Sequence, residues 1–503
     1  MTNWSPYQKA IFEANKEPGN LFVNAVAGSG KTTTMVACIE DVPIEQTVLA
    51  VAFGRDIKKT LETKLGHLPN VAIMTLNGFG YAACRTAVGR YIKIKESKVR
   101  DVMFYDILDK KKELFWKSHR LIIKIISIFK SSMIWQPTLA DMLAVMSRFN
   151  LDLPKGTKTD QIFDLLEVTY NRCMNKTTVM DFDDQIAMPL YYGWTVPTYD
   201  RIFVDEAQDL TPAQIELTKL ALKDTERHSF GGIISEEGKA IYVGDSRQAI
   251  YQFRGADSKA VENIISSMNC KELPLSICYR CSKAVVRAAQ KIVPYIEYHE
   301  EACEGTVEVI SLDDFKVMAH DGDLVLCRCT APLVKACLDF IKNGKKATIK
   351  GREIGQGIID FINNVSDGVD HLKDFNDKLC AYVAAQEEKL KFREDALILL
   401  NDTYETVICL YERADSVSGI LRLICEIFAD DVEGVMLMTI HKAKGLESPN
   451  VFILAPELMP HKLAATEEAL LAEENLIYVA ITRAKENLFL VGGNLRILES
   501  SSA

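Results

Sequence analysis

A lysine and a threonine close a glycine-bearing loop in Leu21-Phe-Val-Asn-Ala-Val-Ala27-Gly28-Ser29-Gly30-Lys31-Thr32-Thr33. An apolar run precedes the loop and a helix-like run follows it, so the loop joins a strand to a helix. Gly28 and Gly30 let backbone N–H groups turn toward an anion, and the helix N-terminus adds partial positive charge. The expected phosphate-binding set is Ala27, Gly28, Ser29, Gly30, Lys31, Thr32 and Thr33. In this pattern Lys31 reaches the β- and γ-phosphates of a nucleoside triphosphate and the Thr32 hydroxyl holds Mg²⁺. Ala25 stands where the general loop pattern has its first glycine. A second element, Arg201-Ile-Phe-Val-Asp205-Glu206-Ala-Gln208-Asp209, ends an apolar strand in paired carboxylates. Asp205 is placed to complete a Mg²⁺ site with Thr32, and Glu206 to polarise an attacking water.

The chain that carries these residues has 503 positions, enough for three or four domains with separate cores. With 48% hydrophobic and 25% charged residues it reads as an ordinary globular protein, not a disordered, collagenous or membrane-embedded one. Its start has no basic segment followed by an apolar one, and its most apolar stretch, Leu121 to Phe129, is interrupted by Lys124. An intracellular location, cytoplasmic or nuclear, is expected, and no membrane partner. The thirteen cysteines lack paired zinc-site spacing and are expected to be reduced thiols.

The net charge is −10, yet the charge is unevenly spread. Between Arg85 and Lys130 thirteen Lys and Arg face five acids, so this segment is +8 and the remainder −18. Tyr91, Phe104, Tyr105, Phe115 and Trp116 are interleaved with it. A basic stretch with aromatics in an otherwise acidic chain suggests a phosphate-facing surface; a solvated helix face over a small aromatic core is the alternative.

Nine short apolar runs read as buried strands: Leu21–Val26, Thr47–Phe53, Val71–Thr75, Arg201–Val204, Ala240–Val243, Asp323–Cys327, Gly434–Thr439, Val451–Ala455 and Leu488–Val491. Most precede helix-like segments, which implies α/β units with parallel sheets. Residues near 88–178 and 356–430 read as almost wholly helical and interrupt that rhythm.

Together these motifs resemble those of the UvrD/PcrA/Rep family, the A-type superfamily 1 helicases. Trp4-Ser-Pro-Tyr-Gln8 is similar to the family's Q motif. Val51-Ala-Phe53-Gly-Arg-Asp and Thr75-Leu-Asn77-Gly-Phe79 resemble its early strand-contacting motifs. Val243-Gly-Asp245-Ser-Arg-Gln248-Ala-Ile-Tyr251-Gln-Phe253-Arg254 resembles its coupling motif, and Cys278-Tyr279-Arg280-Cys281 its Asn-Tyr-Arg-Ser. Thr439-Ile-His441-Lys-Ala-Lys-Gly-Leu-Glu447 and Tyr478-Val-Ala-Ile-Thr-Arg483-Ala-Lys resemble the last two. The resemblance implies that Gln8 reads the adenine edge, Tyr279 stacks on adenine and Glu447 holds the ribose. It implies that Arg280 and Arg483 act as arginine fingers, and that Gln248 reports the γ-phosphate to its aromatic neighbours. ATP would then close a cleft between two domains. Phe53, Thr75, Asn77, Phe79, Tyr251, Phe253, Arg254 and His441 are implied to contact single-stranded DNA. Phe253 stands where the family usually has Trp, Asn77 where it commonly has His, and Val26 where it often has Gly.

The expected architecture is α/β, with two RecA-like P-loop motor domains and two helical insertions. Motor domain 1A spans 1–87 and 179–265, and a basic, DNA-facing insertion 1B spans 88–178. Motor domain 2A spans 266–355 and 432–503, around a reduced insertion 2B at 356–431. No nuclease-like carboxylate cluster follows Arg483. The expected function is an ATP- and Mg²⁺-dependent DNA helicase moving 3′-to-5′ on single strands, with DNA junctions and replication, repair or recombination proteins as partners. The alternatives are a translocase that strips proteins without unwinding duplex, and a nucleotide-gated DNA-binding scaffold with little turnover.

Overall fold

The computed structural model describes residues 4–89, 91–108, 112–149, 151–154, 156–223, 238–250, 259–390, 394–428 and 434–499. The expected strand contacts Tyr251, Phe253 and Arg254, and Arg90, Lys110 and Lys111 of the basic segment, lie outside the described residues. The chain forms two compact units. One comprises residues 1–25 and 30–275, the other residues 26–29 and 276–503.

The first unit is built on six strands: β1 Leu21–Ala25, β2 Val48–Ala52, β3 Val71–Thr75, β4 Arg201–Val204, β5 Lys239–Gly244 and β6 Lys271–Leu275. They lie in the order β3-β2-β4-β5-β1-β6, and every pairing is parallel. Side chains alternate across the pleat, so both faces of a central strand must be apolar. Leu21, Val23, Val48 and Ala50 enter one core layer, and Phe22, Leu49 and Val51 enter the layer on the other face. The strand β6, Lys-Glu-Leu-Pro-Leu, holds Pro274 because it is an edge.

Between β3 and β4, flanked by helices Leu76–Val88 and Phe182–Tyr192, lie helices Lys112–Ser131, Leu139–Arg148 and Thr159–Asn175. They enclose a core of their own that includes Ile122, Ile125, Phe129, Leu166 and Tyr170. A two-stranded parallel ribbon, Lys93–Ile94 with Val179–Met180, clasps the two ends of this helical segment. Below the ribbon lies a buried ion cage. Lys98 Nζ is 2.6 Å from Asp184 Oδ2, and Lys130 Nζ is 2.8 Å from both Asp184 Oδ1 and Asp181 Oδ2. Lys98 and Lys130 were expected on the basic surface; they are instead buried lysines whose charge is met by aspartates 86 and 51 positions away.

The second unit contains β7 Thr306–Ile310, β8 Leu324–Cys327, β9 Ala347–Ile349, β10 Val435–Thr439, β11 Ser448–Leu454 and β12 Ala484–Val491. Their order is β7-β12-β11-β8-β10-β9, again all parallel. Helices Arg352–Ser366, Leu372–Leu390, Glu394–Tyr411 and Val417–Ile427 fall between β9 and β10. Unlike the helices of the first unit, these share one core with their sheet. Ile358, Leu379, Val407 and Ile424 cluster with Val325, Leu437 and Phe452. Asp402, on the third of these helices, accepts the Thr330 and Ala331 N–H groups and so caps helix Thr330–Lys342. All thirteen cysteines are free thiols. Among the described residues no helix is long and apolar enough to cross a membrane.

Candidate functional site

The loop after β1 turns through Gly28 and Gly30, at φ +67° and +81°. Both values lie in the left-handed region that glycine enters without strain. Gly30 caps helix Lys31–Glu40, and a Cβ built there would meet nothing within 4 Å, so the backbone is open to a ligand. Lys31, Thr32 and Thr33 form the first turn of that helix. Ala27 and Ser29 are buried, and among the described residues the Ser29 hydroxyl has no hydrogen-bond partner.

The carboxylates stand at the ends of two neighbouring strands, β4 and β5. The Thr32 hydroxyl donates to Asp205 Oδ2 at 3.3 Å, and Lys31 Nζ lies 3.4 Å from Glu206 Oε1. Glu206 is held at φ +51°, a conformation that costs a non-glycine residue roughly 1–2 kcal/mol. Strain of this kind persists where surrounding contacts over-determine it. Asp245 follows β5. Gln208 joins the carboxylates: its Nε2 donates to Glu206 Oε2 at 2.5 Å, and its Oε1 accepts the Asp245 N–H at 3.0 Å. Gln248 Nε2 then donates to Asp245 Oδ2 at 2.7 Å. A hydrogen-bonded line thus runs Glu206–Gln208–Asp245–Gln248. Gln208 and Asp245 belong to motifs legible in the sequence, but only the folded strand ends show that they connect Glu206 to Gln248.

The electrostatics are unbalanced. Burial, and then the Glu206 carboxylate, push Asp205 up to about 6, which Lys31 and the Thr32 hydroxyl only partly oppose. Burial also raises Asp245. Burial works against the charge on Lys31, but Glu206, Asp245 and Asp205 together hold its pKa above the ordinary lysine value. One lysine faces three carboxylates. Such an oxygen-rich set among the described residues fits a hard divalent cation, and Thr32 and Asp205 are the residues that would hold it.

Gln8 is buried and already engaged. Its Oε1 accepts the Ser5 N–H in a capping box, and its Nε2 donates to Thr34 Oγ1 at 3.0 Å. A primary amide has two N–H donors and two acceptor lone pairs, so capacity toward a base remains.

In the second unit the Gly28 carbonyl accepts the Tyr279 N–H, and the Ala27 N–H donates to the Tyr478 hydroxyl at 2.9 Å. Tyr279 is 41% exposed, and its ring tilts against His299 at 4.9 Å. Arg280 Nε is 2.6 Å from Glu447 Oε2, so the carboxylate expected on a ribose is paired with an expected finger. Arg483 is 2% exposed; its guanidinium donates to the Val479 and Leu446 carbonyls and the Thr482 hydroxyl. His441 lies half-buried in the short turn Ile440–Ala443. The thiols of Cys278 and Cys281 adjoin; a hydrogen bond from Cys281 holds Cys278 down to about 7.

The expected strand contacts separate. Phe53 follows β2 with 46% of its surface exposed. Thr75 caps helix Leu76–Val88 by accepting the Gly78 N–H, and Asn77 Nδ2 donates to the Phe182 carbonyl at 2.8 Å. Phe79 is 0% exposed, packed in the core against Tyr199. It is therefore corrected from a stacking ring to a core side chain: on the helix that follows β3 it faces the sheet, a direction its position in the motif does not reveal.

Residues 4–269 match the UvrD/REP helicase N-terminal domain, and residues 420–492 the UvrD-like helicase C-terminal domain. The ATP-dependent DNA helicase PcrA of Staphylococcus epidermidis is 24% identical over 630 positions, covering 95% of this chain and 82% of its own length. That of Staphylococcus aureus is 24% identical over 631 positions with the same coverage. The first alignment is longer than this chain, so at least 127 of its positions (630 less 503) have no counterpart here. A crystal structure of an arterivirus nonstructural protein 10, a helicase, aligns at a TM-score of 0.35 and 13% identity, too slight a likeness to carry an argument. It covers 98% of this chain, which spans 63% of that one. The chain belongs to the UvrD/REP helicase family and is an ATP-dependent helicase of the UvrD type.

Proposed function

We propose that this UvrD-type, ATP-dependent DNA helicase moves 3′-to-5′ along single-stranded DNA. The observation that carries the reading is the lysine–carboxylate cluster at the ends of β4 and β5, within the residues that match the helicase N-terminal domain. Lys31 neutralises the β- and γ-phosphates, and Glu206 accepts a proton from the attacking water. Gln208, Asp245 and Gln248 transmit the state of Glu206 to the segment that follows β5. Arg280 and Arg483 stabilise charge on the transferring phosphoryl group. Mg²⁺, when bound with ATP through Thr32 and Asp205, supplies the positive charge that the site lacks. Tyr279 and Gln8 recognise the base. Phe53, Thr75, Asn77 and His441 contribute to the strand path. The chain is divided as motor domains 1A and 2A with insertions 1B and 2B, the second reduced. Replication, repair or recombination proteins at DNA junctions, in an intracellular setting, are its proposed partners.

One observation favours a second reading, a motor that translocates and strips proteins with little duplex unwinding. Phe79 is buried and the Asn77 amide is tied to Phe182, so among the described residues of these two motifs Phe53 is the aromatic that exposes a ring. Both readings are tested by ATPase assays with and without single-stranded DNA, followed by unwinding of 3′- and 5′-tailed duplexes. DNA-stimulated hydrolysis with unwinding of the 3′-tailed duplex supports the first. Stimulated hydrolysis without unwinding supports the second. Absence of DNA stimulation overturns both.

A further inference from the structure

Glu447 lies between two cations of the second unit. Its Oε2 is 2.6 Å from Arg280 Nε, and its Oε1 is 2.7 Å from Lys485 Nζ. The three residues come from separate stretches of chain. Arg280 follows the short strand Ile277–Cys278, Glu447 precedes β11, and Lys485 is the second residue of β12. Main-chain bonds fix their spacing: Ser282 N–H donates to the Lys485 carbonyl at 2.7 Å, and Ser448 N–H to the Arg483 carbonyl at 3.1 Å. A side-chain change at Lys485 leaves both bonds in place.

The geometry has a chemical consequence. A guanidinium presents its donors in one rigid plane. A carboxylate on Nε fixes that plane while the two terminal nitrogens keep donors for another acceptor. A pair of one arginine and one glutamate, however, is neutral, and a neutral pair attracts a phosphate weakly. A second cation on the same carboxylate restores a net positive charge. We propose that Lys485 is a positioning residue for ATP hydrolysis: acting through Glu447, it holds the Arg280 guanidinium in one orientation and keeps the cluster positive toward the γ-phosphate. Burial works against the Glu447 charge, yet Lys485 and Arg280, with a smaller contribution from Arg483, hold its carboxyl below the usual range, as expected of a carboxylate that stays ionised among cations. The proposal rests on the reading of Arg280 as a finger. It gives Glu447 a role in turnover beyond the ribose contact that the family resemblance implies.

The test is steady-state ATPase of the full chain at saturating single-stranded DNA, for wild type, Lys485→Met, Lys485→Arg, Arg280→Ala and the Lys485→Met/Arg280→Ala double variant. Lys485→Met should lower kcat about tenfold with KM for ATP within about twofold, the signature of an interaction realised in the transition state. Lys485→Arg should recover most of the loss. The double variant should be no worse than Arg280→Ala alone, because the two residues act as one unit. A raised KM with unchanged kcat would show that the cluster serves ground-state binding, and wild-type kinetics would show an inert surface pair; either overturns the proposal. If Arg280→Ala keeps wild-type kcat, the finger reading fails and the proposal fails with it. Should Lys485→Met not fold, Glu447→Gln reads the same kcat-against-KM split from the carboxylate side.

Discussion

Two buried clusters of lysine and carboxylate lie in the first unit, alike in chemistry and opposite in balance. At the root of the helical segment, Lys98 and Lys130 meet Asp181 and Asp184, two cations for two anions. Burial works against the Asp184 charge, but Lys130 and Lys98 hold its carboxyl below the ordinary range; Asp181, which shares Lys130 with it, is pushed up to about 6 by burial. At the phosphate loop, among the described residues, Lys31 faces Asp205, Glu206 and Asp245. The cage sets each of its two lysines against an aspartate from a distant stretch of chain. Among the described residues the loop cluster sets three carboxylates beside one lysine, an oxygen-rich composition that a divalent cation completes. Burial of charge does not by itself distinguish structure from function; the deficit does.

The largest effects should separate the clusters by activity. Glu206→Gln and Lys31→Ala should each reduce DNA-stimulated ATP hydrolysis by roughly a hundredfold or more, the scale of losing a proton acceptor or a charge stabiliser. Glu206→Gln should still bind nucleotide, measured with a fluorescent ATP analogue. Near wild-type turnover in Glu206→Gln would show that the wrong cluster has been taken as catalytic.

The cage should answer in stability. Lys130→Met leaves Asp181 without its lysine and Asp184 with Lys98 alone, and removing one partner of a buried pair costs about 3–5 kcal/mol. Denaturant unfolding and limited proteolysis should show the helical segment between β3 and β4 loosening first. ATPase without DNA should persist, since the loop cluster is untouched. A variant as stable as wild type would mean that the cage adds nothing to the fold.

The two aspartates should respond to pH with opposite sign. Asp205 titrates at about 6 in the fold against an ordinary 3.8, so its ionisation costs stability. That cost is absent below about pH 4, grows to pH 6 and is complete above it. Asp205→Asn should therefore raise the thermal midpoint by a few degrees at pH 7, change little at pH 4, and abolish turnover. The Asp184 pKa is depressed, so its ionic contribution is present above pH 3.8 and is lost as pH falls through the lower folded value. Asp184→Asn should lower the midpoint at pH 7. Shifts of the same sign in both variants would contradict the contrast.

All nine apolar runs expected to be strands lie in the two sheets. The three strands of these two sheets that escaped, β6, β7 and β9, are all sheet edges. An edge needs no continuous apolar run: β6 carries Lys271, Glu272 and Pro274, β7 alternates as Thr-Val-Glu-Val-Ile, and β9 has three residues. The phosphate loop and the strand-end carboxylates were legible because each motif is contiguous. The cage was not, because its lysines find their partners across the chain; they read instead as part of a basic surface. Phe79 illustrates the same limit, since a motif gives a residue's place along the chain but not the direction of its ring.

The smallest effect sharpens the contrast most directly, because it asks whether the deficit itself binds. Mg²⁺ alone should stabilise the wild-type protein. At a concentration ten times its dissociation constant, a cation that binds only the folded state adds about 1.4 kcal/mol. The gain should vanish in Asp205→Asn, where the oxygen set has lost its buried charge. It should also be smaller at pH 5 than at pH 7, since Asp205 is largely protonated below 6 and a protonated carboxyl competes poorly for a cation. In Lys130→Met the gain should be unchanged, even though that protein is less stable overall, because the cage and the loop cluster share no residue. Thermal unfolding across a Mg²⁺ titration, with Ca²⁺ for comparison and an ionic-strength control, measures all of this without nucleotide or DNA. If Mg²⁺ stabilises Asp205→Asn as much as wild type, the charge deficit at the loop is not what receives the cation, and the difference between the two clusters loses its functional meaning.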